Sequence, residues 1–128
     1  MFKKILIVDD EKATVELLQR FFHIKGYEAV GALRGDHGLL MVKVESPDVV
    51  ILDLMMPDMD GMEVLRQLRS NPDTVSLPVL MLTANAALDG MDKALRAGAQ
   101  GYMTKPVRFP ELIAELERIF NQVHSSQG

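Results

Sequence analysis

Ile5-Leu6-Ile7-Val8-Asp9-Asp10 is a run of four aliphatic residues that stops on two acids, and the chain repeats this arrangement. Val49-Val50-Ile51-Leu52 runs into Asp53, Val79-Leu80-Met81-Leu82 into Thr83, and Gly101-Tyr102-Met103 through Thr104 into Lys105-Pro106. Glu28-Ala29-Val30-Gly31 is the exception, ending without such a group. Unbroken rather than alternating apolar runs suit parallel strands covered on both faces. Parallel neighbours would bring three acids, a hydroxyl and an ammonium to one edge of one sheet, where open α/β sheets hold their ligands.

Helix-like segments separate the runs. Thr14, Leu17, Leu18, Phe21 and Phe22 keep helical spacing, with Gly26 as the closing residue. Between Arg34 and Glu45 the signal is weaker: Gly35 and Gly38 are poor helix formers, while Leu40, Met41 and Val44 supply a face. After the turn Met56-Pro57-Asp58-Met59-Asp60-Gly61, Asp60 and Glu63 form a capping-box pair, and Val64, Leu65 and Leu68 follow as a buried stripe. Ala87, Met91, Ala94 and Leu95 make the next stripe, closed by Gly98. Leu112, Ile113, Leu116, Ile119, Phe120 and Val123 make the clearest one, with Pro110 in its first turn. The sum is a doubly wound (βα)5 domain, a three-layer α/β sandwich whose crossovers are right-handed. It spans residues 1–122, and 123–128 reads as a polar tail or the stub of a linker.

Composition excludes several classes of function. The 128 residues are 48% hydrophobic and 25% charged, the make-up of one globular domain. A net charge of −4, with Lys3-Lys4 the only adjacent basic pair, gives no nucleic-acid footprint. No stretch is long enough to span a membrane, and no signal-peptide profile is present. The absence of cysteine rules out thiolate metal sites and fits a reducing compartment, so a cytoplasmic location is expected.

The convergent residues make a set for phosphoryl chemistry. Magnesium takes oxygen ligands and usually keeps water beside one or two carboxylates, as Asp9, Asp10 and Asp53 would allow. Three carboxylates in one pocket repel each other and make the site attract cations. A carboxylate can also accept a phosphoryl group as an acyl phosphate. Lys105 would neutralise charge on the phosphoryl oxygens, and Thr83 offers a hydroxyl.

Four motifs, in order, carry a resemblance that covers essentially the whole chain. They are Ile7-Val8-Asp9-Asp10-Glu11, Asp53-Leu54-Met55-Met56-Pro57-Asp58-Met59-Asp60-Gly61, Leu82-Thr83-Ala84, and Ala97 to Pro106 ending Tyr102-Met103-Thr104-Lys105-Pro106. Together they resemble the response-regulator receiver domains of two-component signalling, of the chemotaxis-receiver kind. The resemblance implies a flavodoxin-like sheet in the order 2-1-3-4-5. It implies Asp53 as phosphoacceptor, with Mg2+ bound by Asp10, Asp53 and the Met55 backbone carbonyl directly and by Asp9 through water. It further implies phosphoryl contacts from Lys105, Thr83 and the backbone of Met55 and Ala84, and a cis peptide between Lys105 and Pro106. Thr83 and Tyr102 would be the switch pair that alters the surface of the fourth helix, fifth strand and fifth helix. Asn85 and the Met55 side chain match positions that tune the lifetime of the phosphorylated state.

Taken singly, most of these residues have plainer readings. Asp9 or Asp10 would cap the following helix, Glu11 is helix-start charge, Thr83 a strand-end residue and Lys105 a solvated loop lysine. An aspartate closing a buried strand, as Asp53 does, has no cap to make. Asp58, Asp60, Asp89 and Asp92 read as turn or helix-start acids. The nine methionines read as core and loop filler, and His23, His37 and His124 share no ligand spacing.

The expected function is a phosphorylation-controlled switch that takes its phosphoryl group from a sensor histidine kinase or phosphotransfer protein. It would pass the signal to an unknown output protein or domain, with self-catalysed transfer and dephosphorylation. Two alternatives are an unphosphorylated interaction module and a magnesium-dependent phosphatase of the haloacid-dehalogenase type. The latter needs an Asp-x-Asp pair, and Asp53 is followed by Leu54-Met55. The domain is expected to be a stand-alone regulator or part of a longer protein, a monomer or a phosphorylation-linked homodimer. It should contact neither nucleic acid nor membrane directly. Gln100-Gly101 stands where one winged-helix transcription-factor subgroup carries acids used in dimerisation, which makes that subgroup and its dimer less expected.

Overall fold

Each aliphatic run is a strand, and the segment after each is a helix. The computed structural model describes residues 3–84 and 90–127. The elements are β1 (Lys4–Val8), α1 (Lys12–Ile24), β2 (Glu28–Ala32), α2 (Gly35–Glu45), β3 (Val49–Leu52), α3 (Gly61–Ser70), β4 (Val79–Thr83), α4 (Gly90–Arg96), β5 (Gly101–Thr104) and α5 (Phe109–Gln127). The strands form one parallel sheet in the order β2-β1-β3-β4-β5. Side-chain alternation along the strands divides the interior in two. Ile5, Ile7, Val49, Ile51, Leu80 and Leu82 pack with Val15, Leu18 and Phe22 of α1 and Leu112, Leu116 and Ile119 of α5. Leu6, Val8, Val50, Leu52, Val79 and Met81 face Val42 of α2, Val64, Leu65 and Leu68 of α3, and Ala94 of α4. Burying each of the larger side chains stabilises the fold by roughly 1.5–3 kcal/mol.

Helix existence follows the sequence pattern, but three buried faces differ from the expected ones. On α1 the sheet-facing set is Val15, Leu18 and Phe22, and Leu17 is exposed. Val15 occupies the space that a side chain at Gly31 of β2 would fill. On α2 the buried residues are Gly35, Gly38 and Val42, whereas Leu40 and Val44 point to solvent. The glycines that weaken α2 as a helix are its contact surface: a Cβ on Gly38 would sit 2.9 Å from both γ-methyls of Val8. On α4, Ala94 is buried but Met91 and Leu95 are exposed. Ala87, the other member of that stripe, lies outside the described residues, as do Asn85 and Asp89.

Capping differs in detail as well. Asp60 accepts the Glu63 N–H at 2.9 Å, which is half of the expected box. The Glu63 carboxylate turns instead to Arg66 at 2.7 Å. Helix α5 runs to Gln127, so the boundary expected at 122 falls inside a helix. The silence of β2 also needs another reason than its edge position. Strand β5 is the opposite edge, equally two strands from β3, and it leads to Lys105. No described helix is long and apolar enough to cross a membrane.

Candidate functional site

Among the described residues the buried polar and charged ones are Asp9, Asp53 and Thr83, at 3%, 6% and 0% exposure, and all three stand at carboxyl ends of central strands. Ladder bonds carried one residue past the strands hold the site's backbone in place. The Asp9 N–H donates to the Ala32 carbonyl at 3.1 Å, Asp53 to Val8 at 2.9 Å, and Lys105 to Thr83 at 2.8 Å. Each residue is therefore fixed by its neighbour's strand, not by its own loop.

The acids meet as expected. One carboxylate oxygen from each of Asp9, Asp10 and Asp53 lies within 4.8 Å of the others, with Asp10 exposed and the other two buried. The Lys105 ammonium reaches this group across β4, 2.7 Å from Asp9 Oδ2 and 3.6 Å from Asp53 Oδ2. Its third partner is Glu11, at 3.0 Å. Glu11 thus does more than supply helix-start charge; the available signal was its place directly after the acid pair. Asp9 accepts the Glu11 N–H at 2.9 Å, leading the chain into α1, whose N-cap Glu11 makes no side-chain cap of its own.

Electrostatics follow from this crowding. Burial pushes the Asp53 carboxyl above its ordinary value, and the neighbouring Asp9 charge adds to the effect; Lys105 and the Met55 N–H oppose them. Burial disfavours the Lys105 ammonium, yet its hydrogen bonds to Asp9 and Glu11 and the Asp9 and Asp53 charges leave its pKa raised. The site holds excess negative charge and one internal cation.

The β3–α3 loop closes over Asp53. Met55 N–H lies 3.3 Å from Asp53 Oδ1, and the Gly61 N–H donates to the Leu54 carbonyl at 2.8 Å. Gly61 is required here because a Cβ would collide with the Asp53 carbonyl oxygen. The Met55 side chain is exposed, and Met56 belongs to the core. Asp58 serves more than its own turn: besides the Asp58 and Met59 backbone N–H groups, its carboxylate meets those of Gly35 at 3.0 Å and Asp36 at 3.3 Å, capping α2 across the fold. No sequence signal links residues so far apart.

Thr83 and Tyr102 belong to the other side of the sheet. Alternation places Asp9 and Asp53 with the residues facing α1 and α5, and Thr83 with Val79 and Met81. Tyr102, opposite Met81 in the β4–β5 register, packs half-buried against that second core. Ala84 follows Thr83 on the exposed surface, and the Lys105–Pro106 peptide is cis. Gln100 has an internal role: its Oε1 accepts the Val79 N–H at 2.8 Å and Arg69 Nη2 at 2.9 Å. His23 and His37 are exposed and stand outside the acidic group. A cavity of about 500 Å3 between α2 and α3 lies near Ser46, Pro47 and Leu77, at the opposite end of the strands from the acids.

An all-oxygen cluster with an exposed member suits a hard divalent cation, which favours carboxylates and water over nitrogen or sulfur donors. The group could hold such an ion.

Comparisons with known proteins identify the family. The response regulator receiver domain model matches residues 5–117. The chain is 39% identical over 125 residues to the response regulator MprA of Mycolicibacterium vanbaalenii, covering 98% of this chain and 53% of that protein. It is 37% identical over 122 residues to the phosphate regulon transcriptional regulatory protein PhoB of Rhizobium meliloti, covering 95% and 54%. The chain therefore spans about half the length of these curated relatives. A transcriptional regulator among them shows that Gln100-Gly101 does not remove likeness to that kind of protein. Among solved structures, a CheY-like receiver domain protein from Methanospirillum hungatei superposes with a TM-score of 0.90 at 28% identity, over 100% of both chains. The chemotaxis protein CheY4 of Vibrio cholerae gives 0.86 at 29% identity, over 92% of this chain and 98% of that one. The fold, the family model and the relatives coincide: the chain belongs to the response regulator receiver domain family.

Proposed function

We propose that this domain is a phosphoacceptor switch that receives a phosphoryl group on Asp53 and passes the change to a partner. The observation that carries the reading is the Asp9–Asp10–Asp53 cluster with Lys105 inserted into it. Asp10, Asp53 and the Met55 carbonyl would hold Mg2+ directly and Asp9 through water; the ion would offset charge on the phosphoryl oxygens. An Asp53 carboxylate oxygen attacks phosphorus and forms the new O–P bond. The donor's N–P bond breaks, and its electron pair returns to the imidazole nitrogen of a phosphohistidine. Lys105 shifts from Asp9 and Glu11 towards the transferred group. The Thr83 hydroxyl and the Met55 and Ala84 N–H groups donate to its oxygens.

Thr83 and Tyr102 share the α2–α3–α4 side of the sheet by alternation, which supports their action as a switch pair. Movement of Thr83 towards the phosphoryl group vacates space for the ring, and the α4–β5–α5 surface changes. Hydrolysis of the acyl phosphate, assisted by the same residues, resets the domain. The partners are a sensor histidine kinase or phosphotransfer protein and an output protein or domain, in the cytoplasm. The domain touches neither nucleic acid nor membrane and is a monomer or a homodimer formed on phosphorylation.

The test is incubation with acetyl phosphate, with and without Mg2+, followed by intact-mass measurement. Wild type should gain one acid-stable, base-labile phosphoryl group only with Mg2+, and Asp53→Ala none. Full labelling of Asp53→Ala would overturn the assignment.

A further inference from the structure

The N-cap residue of helix α2, Arg34, offers no side-chain oxygen to the first N–H groups; its guanidinium instead pairs with Asp36 at 3.1 Å, and Asp36 accepts the His37 N–H at 2.7 Å. For the two N–H groups before His37 the oxygens come from the β3–α3 loop, where Asp58 accepts the Gly35 N–H at 3.0 and 3.2 Å and the Asp36 N–H at 3.3 Å. A carboxylate at a helix amino terminus satisfies orphan donors and meets the positive end of the helix dipole. This bond set has a second effect, on the loop that supplies it. Residues 55–59 arch from Asp53 to α3, and the arch is tied at its root by the Gly61–Leu54 bond at 2.8 Å. At its apex the carboxylate tie to α2 is Asp58, three residues beyond Met55, and next to it Gln67 of α3 donates to Met59 Sδ at 3.9 Å. Between the two, Met56 is anchored in the core while the Met55 side chain is exposed and fixes little. Gly35 lies against the same arch, with Met59 Cβ at 3.0 Å from where its own Cβ would be, so the helix start and the loop are in close contact.

We propose that Asp58 is a positioning residue for the phosphoacceptor site: by gripping the start of α2 it holds the β3–α3 arch, and with it the Met55 backbone beside Asp53. The inference rests on the phosphoacceptor reading, in which the Met55 carbonyl binds the cation and its N–H meets the phosphoryl group. Asp58 touches neither and acts through Met55. Helix α2 thereby becomes part of the site's support, although none of its residues belongs to the acidic cluster.

The decisive experiment separates holding the arch from simply stabilising α2. Wild type, Asp58→Ala, Asp58→Asn and the double variant Arg34→Asp/Asp58→Ala would be titrated with Mg2+ by calorimetry, labelled with acetyl phosphate and melted by circular dichroism. In the double variant an aspartate at the N-cap restores the helix cap from within α2 but leaves the arch untied. Asp58→Ala should weaken Mg2+ binding about tenfold, as loss of an outer support to a metal ligand commonly does. Asp58→Asn, which keeps one accepting oxygen, should recover much of that affinity. The double variant gains a cap but loses the exposed Arg34–Asp36 pair, so it should melt above Asp58→Ala without regaining the Mg2+ affinity of wild type. Restored Mg2+ affinity in the double variant, or Asp58→Ala within about twofold of a wild type that is labelled on Asp53, overturns the positioning role. A wild type that neither binds Mg2+ nor takes label overturns the phosphoacceptor reading itself.

Discussion

Asparagine in place of Asp53 should make the cation-free protein more stable at neutral pH, although it removes a partner of Lys105. At an effective dielectric constant of about 20, the 3.6 Å contact between Asp53 and Lys105 is worth roughly 4–5 kcal/mol of attraction. Repulsion from Asp9, with oxygens within 4.8 Å, returns at least about 3.5 kcal/mol. Asp10 is at similar range but exposed, so solvent screens it and its share is smaller. These opposing charges come close to balance, and Lys105 keeps its two shorter bonds, to Asp9 and Glu11, in either case. What remains is the cost of burying a carboxylate at 6% exposure, which decides the sign. The raised Asp53 pKa has the same direction, with burial as its main cause. A net gain of about 1–2 kcal/mol is expected, or roughly 3–8 °C in Tm for a domain of this size.

The pH dependence follows from linkage. A carboxyl whose native pKa is raised favours the protonated folded state, so its stabilising contribution is present below the unfolded value, near 3.8, and is lost as pH rises through the native value. The advantage of Asp53→Asn should therefore be small in acid, grow across that window and be full at neutrality. The assay is paired urea and thermal unfolding in chelator at several pH values, repeated with Mg2+. The ion stabilises whichever protein binds it by mass action, so it should narrow or reverse the gap. A cation-free Asp53→Asn protein less stable than wild type at pH 7 would refute the reasoning and make the Lys105 attraction the dominant effect.

Two further outcomes follow from the same geometry. Lys105→Ala leaves Asp9 and Asp53 buried together without their cation, and should cost about 2–4 kcal/mol in chelator, much of it recovered on adding Mg2+; urea unfolding in both conditions checks this. Gly61→Ala places a methyl group against the Asp53 carbonyl oxygen, so it should lower stability by about 1–3 kcal/mol despite the better helix propensity of alanine, and slow acetyl phosphate labelling as well.

The existence and order of all ten elements were readable from the chain, because unbroken aliphatic runs and helical stripes are local signals. Buried faces were less legible. Leu40 and Val44 outrank Gly38 on any hydrophobicity scale, yet the close approach of α2 to Val8 selects the glycine. Asp9, Asp10, Asp53, Thr83 and Lys105 were identified beforehand because each ends a strand. Glu11 and Asp58 were passed over because their partners, Lys105 and the start of α2, lie far away in the chain.

By itself, then, the sequence determined the strands, the helices and the chemical groups at the strand ends, since those depend on neighbours within a few residues. Tertiary structure decided which of three nearby carboxylates holds Lys105 most closely, which helix faces meet the sheet, and which acid caps α2. Those outcomes depend on strand order and on distances of a few ångströms between segments far apart in the chain. Electrostatic and steric energies change steeply over such distances, so local pattern alone does not set them.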